Sequence, residues 1–333
     1  MLLATQYLGL SLKNPLIASA APLNAQLDHL RALEDAGAAA VVLPSLFQEQ
    51  IEAEAAIHEH IMNSAAHNSP EASTYFPQTA SGPYGVGPDA YLDLIHRARA
   101  AVAIPVIASL NGSSEAGWIE YAKMMQQAGA HAIELNMYFI PIDIELTGQN
   151  IEDRYVGILA AARRAVSIPL ALKVSPQVSA FGNLAQRLHA NGADGLVLFN
   201  RLLQPDIDLA TLRLTQGVHL STRAEMPLSL SWIALLAGRC GASLAASTGV
   251  EEADDVIKYL LAGADVVMTT SALLRHGAGH LTGLLNGLET WMEARQFASV
   301  SDLRGLMSWS RSRHKEFYGR PSYMKMLETG VTG

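Results

Sequence analysis

DAGAAAVVLP at 35–44, QAGAHAIELN at 127–136, ANGADGLVLF at 190–199 and LAGADVVMTT at 261–270 are one pattern written four times. A helical stretch ends, Gly and Ala follow, and an apolar run begins. Glycine at the helix end supplies the left-handed backbone of a C-cap. RCGASLAAS at 239–247 is a fifth copy. IPVIASLNG at 104–112 and IPLALKVSP at 168–176 are a sister form in which proline opens the run. Proline is tolerated there because a first strand residue need not donate to the ladder. With NPLIASAAP at 14–22 the chain has eight candidate strands. The runs are continuously apolar, as parallel strands covered on both faces are.

Amphipathic helices are expected between them at 89–102, 114–128, 151–166, 180–190 and 251–262. In the last, Glu251, Glu252 and Asp254 are expected in the first turn, where the helix dipole favours acids. Eight strands alternating with helices fit a doubly wound sheet or a closed (β/α)8 barrel. No G-x-G-x-x-G follows any strand, so the α/β class resolves to the (β/α)8 TIM barrel. ATQYLGLSLK at 4–13 reads as a small N-terminal hairpin plugging the barrel floor. Residues 46–88 and 201–230 read as long loops after strands two and six, and no linker marks a second domain within 1–333.

Of 333 residues, 50% are hydrophobic and 16% charged, and the net charge is -8. That balance argues against nucleic acid as a partner, since phosphate binding needs clustered Lys and Arg. The basic stretch Arg311, Arg313, His314 and Lys315 reads as a solvated helix face. A single cysteine, Cys240, excludes an intrachain disulfide and a paired-cysteine metal site, and suits a reducing cytoplasm. The N-terminus lacks a signal-peptide pattern. The longest apolar runs, such as 234–237, fall far short of a membrane span, so no membrane partner is expected.

Barrel active sites form at the C-terminal ends of strands. Lys173 is an ammonium inside an apolar strand, costly unless paired or used. It reads either as a cation for a bound cofactor or as half of an ion pair with Glu134. Ser247, Thr248 and Gly249 after strand seven, with Thr270 and Ser271 after strand eight, suit a phosphate, or simply cap helices. Asn111, Asn136 and Asn200 end strands three, four and six, and an amide can both donate to and accept from a heterocycle. His58-Glu59-His60 is not H-E-x-x-H, so no metal site is expected there. Cys240 is expected in the core, and Trp232 in the core or the barrel rim.

In this order the strand ends resemble those of the FMN-dependent dihydroorotate dehydrogenase family, from Asn14-Pro15 to about His276. The residues carrying the resemblance are Asn14-Pro15-Leu16 with Ala18-Ser19-Ala20, Glu134-Leu135-Asn136, Leu172-Lys173, Phe199-Asn200, and 261–265 leading to 270–273. The resemblance implies FMN, with Ala20 and Ala21 against the flavin face and Lys173 near its N1/O2 edge. It implies Asn136 and Asn200 about the flavin or substrate ring, Asn111 among the cofactor-binding residues, and Ser247, Thr248, Gly249, Thr270 and Ser271 around the phosphate. In that family hydride passes from a dihydropyrimidine ring carbon to flavin N5, while a base takes a proton from the neighbouring carbon.

The resemblance is to the soluble class, whose members are commonly homodimers. Where the family carries its Cys or Ser base, this chain reads Asn136-Met137-Tyr138-Phe139-Ile140-Pro141, and Phe139 cannot take a proton. Tyr138 is the adjacent candidate, although a tyrosine's ordinary pKa near 10 suits an acid better than a base. The family lysine after strand two is also absent from Leu43-Pro44-Ser45-Leu46-Phe47. An FMN barrel without dihydroorotate activity, as a sensor or binding protein, is one alternative. A sugar-phosphate aldolase with Lys173 as its Schiff base is another.

Overall fold

The computed structural model describes residues 1–47, 88–111, 115–137, 139–201, 205–215, 217, 219–313 and 315–318. Strands β1 (Thr5–Tyr7) and β2 (Leu10–Leu12) form an antiparallel hairpin. Eight strands then close a parallel barrel: β3 (Leu16–Ala18), β4 (Ala40–Phe47), β5 (Val106–Asn111), β6 (Ala132–Asn136), β7 (Leu170–Val174), β8 (Gly195–Leu198), β11 (Ser243–Ala246) and β12 (Val266–Thr269). Between β8 and β11 lies a second hairpin, β9 (Asp206–Asp208) with β10 (Arg213–Thr215). All eight expected strands are present.

The outer helices are α1 (Leu27–Asp35), α2 (Pro88–Ala101), α3 (Glu115–Gln127), α4 (Gly148–Ala165), α5 (Phe181–Ala190), α6 (Met226–Leu236) and α7 (Ala253–Ala262). After β12 come α8 (Ser271–His276), α9 (His280–Ala294) and α10 (Val300–Leu303). The helix expected at 251–262 begins two residues later. Asp255 is the reason: its Oδ2 accepts the backbone N–H of Glu251 and Glu252, making Glu252 the N-cap. Glu251, expected in the first turn, precedes the cap and pairs instead with Arg275 and His276. The excursion expected over 201–230 is shorter than expected. It holds the β9–β10 hairpin and gives way to α6 at Met226, where Pro227 suits the first turn. The loop expected from 46 starts later, because β4 runs on to Phe47; residues 48–87 lie outside the described part.

Alternate strand residues sort into two cores. Ile17, Val42, Ile107, Ala132, Ala171, Val197, Ala245 and Val266 join Tyr7, Leu8 and Leu12 of the hairpin in the smaller cluster, which fills the lumen. Their neighbours face the helices and form the larger cluster. The hairpin is fixed to the N-terminal strand ends. Leu8 N–H donates to Ser243 Oγ, and Thr5 Oγ1 donates to Asp265 C=O. A Cβ at Gly195 would lie 2.5 Å from Leu8 Cδ2, so β8 keeps a glycine where the plug crosses it. Burial of Tyr7, Leu8 and Leu12 stabilises this seal by roughly 1.5–3 kcal/mol per side chain. With the floor closed, the barrel opens at its C-terminal mouth. Among the described residues no helix is long and apolar enough to cross a membrane.

Candidate active site

The mouth holds a cleft lined by Ala20, Lys173, Phe199, Asn200, Ser247, Thr248, Gly249, Thr270 and Ser271, among others. Eight residues singled out from sequence therefore meet in one place. They come from the ends of five strands, β3, β7, β8, β11 and β12, which a closed barrel brings together at its mouth.

Asn136 joins this group through Asn200, whose Nδ2 donates to Asn136 Oδ1 at 2.6 Å. The Asn136 amide also donates to Ser45 Oγ at 3.4 Å, and Ser45 shares a 2.8 Å hydroxyl contact with Ser109. Ser109 is held by Tyr91, whose hydroxyl donates to its C=O and accepts from its N–H. These bonds fix both amides and leave the Asn200 carbonyl and one N–H on each amide for a ligand. Ala21 and Asn111 lie outside the cleft lining. Ala21 is buried as the N-cap of a 3-10 turn. Asn111 ends β5, two strands from Lys173 across the barrel wall. Tyr138 falls outside the described residues.

Lys173 is paired with Glu134, as one of the two readings of the sequence has it. Its side chain is only 12% exposed, it lines the cleft, and its Nζ stands 3.8 Å from Glu134 Oε1. Glu134 is buried, with no hydrogen bond to either carboxylate oxygen. Burial pushes its pKa up, and the Lys173 charge opposes the shift.

After β11 the backbone turns sharply. Thr248 has φ +82° and Gly249 φ +76°. The positive φ at Thr248 costs on the order of 1–3 kcal/mol, a kind of strain that concentrates at ligand clamps. It is held by Tyr259, whose hydroxyl donates to Thr248 C=O at 2.8 Å, and by Thr248 Oγ1 donating to Phe199 C=O. A Cβ at Gly249 would lie 3.0 Å from Thr222 C=O and from Met226 Cβ, so glycine is needed here for space as well as conformation. Ser271 Oγ accepts from Ser221 N–H and Oγ, tying the excursion to the end of β12. Thr270 Oγ1 is buried and makes no hydrogen bond.

Two cleft residues carried no signal strong enough to be singled out. Ser221 sits in the excursion, far in sequence from the end of any barrel strand. Arg201 follows Asn200, pairs with Glu225 at 2.7 Å and donates to His219 C=O. Phe139 packs edge-on against Tyr155 with ring centroids 5.4 Å apart, and the Arg154 guanidinium lies 4.0 Å above it. Cys240 is buried in the core as expected, and Trp232 on α6 packs on Phe181 against the larger core.

Comparison with known proteins gives the family. The sequence model of dihydroorotate dehydrogenase matches residues 79–292, more than half of the chain. The chain belongs to the dihydroorotate dehydrogenase family. It is similar to a putative dihydroorotate dehydrogenase A (fumarate) of Aeropyrum pernix, 28% identical over 61% of this chain and 67% of that protein. It is also similar to the catalytic subunit of dihydroorotate dehydrogenase B (NAD(+)) from Halalkalibacterium halodurans, 30% identical over 52% of the chain and 58% of that subunit. The corresponding Thermoplasma acidophilum subunit is 24% identical over 91% of the chain and 98% of its own length. Membership of a dehydrogenase family places the barrel among oxidoreductases rather than aldolases.

The cleft fits FMN on three observations. The glycine cradle at 249 gives a phosphate close access to backbone, Thr270 Oγ1 is an orphaned buried hydroxyl, and a cation, Lys173, and an oriented amide, Asn200, line the same cleft.

Proposed function

We propose that this protein is an FMN-dependent oxidoreductase acting on the CH–CH bond of a dihydropyrimidine-like substrate, with dihydroorotate as the first candidate. The carrying observation is that Lys173, Asn200, Ser247, Thr248, Gly249, Thr270 and Ser271 share one cleft over a sealed barrel floor. FMN would be held by its phosphate at 247–249 and 270–271 and by its ring between Ala20 and Lys173; when bound it supplies the hydride-accepting chemistry. Lys173 then favours negative charge at the ring edge. Asn136 and Asn200, locked by Ser45 and by each other, orient the substrate ring. The floor plug and the apolar lumen exclude water from below.

Phe139 supports a second reading, an FMN barrel whose substrate is not dihydroorotate. Its ring is engaged with Tyr155 and Arg154 and offers no proton acceptor. Proton removal then falls to Tyr138 or to a group within 48–87. The visible spectrum of the purified protein, followed by anaerobic addition of dihydroorotate, separates the two. A yellow protein that bleaches supports the first reading, and one that stays yellow supports the second. A protein colourless even after FMN addition refutes both.

The partner reading is a homodimer in the cytoplasm, one barrel domain per protomer. Ile142, Ile144, Leu209 and Leu212 support the dimer: they are 87%, 93%, 84% and 82% exposed, on segments that follow β6 and β8 at the mouth. The single, buried cysteine accords with a reducing compartment.

A further inference from the structure

The lumen beneath the cleft contains an expensive group without an evident structural reason. Glu134 is 1% exposed, and neither of its oxygens is hydrogen bonded. A buried carboxylate in that condition is normally eliminated or given full partners. Among the described residues the polar groups around it are few, and Tyr91, whose hydroxyl feels its charge, is engaged with the Ser109 backbone. Ser109 on β5 stands in register with it, but the Ser109 hydroxyl is engaged with Ser45. From below, the plug contributes Tyr7, whose hydroxyl is buried and makes no hydrogen bond. Ala171 is its register partner on β7, and two residues on, Lys173 supplies the cation. At 3.8 Å the pair is electrostatic rather than hydrogen bonded, which leaves the ammonium's three donors unengaged among the described residues.

We propose that Glu134 is a positioning residue: the counter-ion that sets how much positive charge Lys173 presents to the cofactor edge, and hence the preference of the cleft for reduced over oxidised cofactor. This rests on the FMN reading above. A structural ion pair would place the charge anywhere in the wall. Here the carboxylate is paired with the one lysine that lines the cleft among the described residues, in a low-dielectric lumen where its field is weakly screened.

Two measurements test it. In the chain without FMN at pH 8, infrared difference spectra report protonated carboxyl groups. Lys173→Met is expected to create a carboxylic-acid band that wild type lacks and that Glu134→Gln/Lys173→Met also lacks. In the FMN-loaded protein, the ratio of dissociation constants for oxidised and reduced FMN is read by redox titration. Glu134→Gln, isosteric and neutral, is expected to shift that ratio on the order of tenfold toward reduced FMN. Glu134→Asp should restore most of the wild-type value, and Lys173→Met should shift the ratio the opposite way. Adding Glu134→Gln to Lys173→Met should change nothing more, because the carboxyl is already neutral. A ratio unmoved in Glu134→Gln overturns the proposal, as does a carboxylic-acid band already present in wild type. Wild-type protein that takes up no FMN overturns both the proposal and the FMN reading, and is recognised before any variant is compared.

Discussion

Asn136 shows how one side chain can organise the substrate end of the cleft. Its carbonyl accepts from Asn200 and its amide donates to Ser45, so removing it frees two strand ends together. Asn136→Ala is expected to lower turnover about tenfold to a hundredfold, the equivalent of leaving a part-buried donor unsatisfied by roughly 1–3 kcal/mol. FMN absorbance should persist, because the phosphate cradle lies elsewhere in the cleft; loss of colour would show that Asn136 holds cofactor rather than substrate. Glu134 gives a second expectation at this scale. Its folded pKa is raised, so its contribution to stability is present below about 4.3, the unfolded glutamate value, and is lost as pH rises through the folded value. Wild type should therefore lose stability relative to Glu134→Gln as pH climbs through that window. Urea unfolding across a pH series checks this, and a pH-independent difference between the two proteins would contradict it.

At the scale of elements, the segment from 247 to the start of α7 couples stability to the site. Asp255 is fully buried, accepts two backbone N–H groups at the α7 start and meets Arg223 at 2.9 Å. Through those bonds it fixes the strand-to-helix turn that carries Thr248 and Gly249. Asp255→Ala is expected to cost about 2–4 kcal/mol in urea unfolding, because it removes the cap and leaves part-buried donors unpaired. It should also weaken FMN binding, and retained affinity would show that the turn is rigid without α7. The strands themselves were legible in the sequence, since the Gly-Ala-apolar repeat is a local signal that needs no tertiary partner to be read. The start of α7 was not, because Glu251 looks like any first-turn acid until Asp255 is seen capturing its N–H. Within the site, Lys173, Asn200 and the Ser/Thr-rich ends stood out because polar residues closing apolar runs are anomalous. Ser221 did not, since a serine in a long excursion is ordinary until the fold returns it to Ser271.

At the scale of the molecule, the unexplained surface lies around the mouth. Ile142 and Ile144 alternate with Asp143 and Glu145, and Leu209 and Leu212 occupy the turn of the β9–β10 hairpin. Such alternation ordinarily sets an apolar edge against a core, yet these side chains stand 82–93% exposed on a chain with many buried aliphatics. A self-complementary face would cover them, and a two-fold dimer needs only one such patch on each protomer. The same segments follow β6 and β8, the strands bearing Asn136 and Asn200, so pairing there would brace both amides at once. Ile144→Asp with Leu212→Asp is therefore expected to convert a dimer to a monomer in sedimentation equilibrium. Thermal stability of the isolated barrel should change little, because neither side chain contributes to either core. If bracing operates, the monomer should bind FMN as wild type does while its substrate KM rises severalfold. A wild-type chain that sediments as a monomer would refute the dimer, and would leave the exposed aliphatics facing a partner other than a second copy.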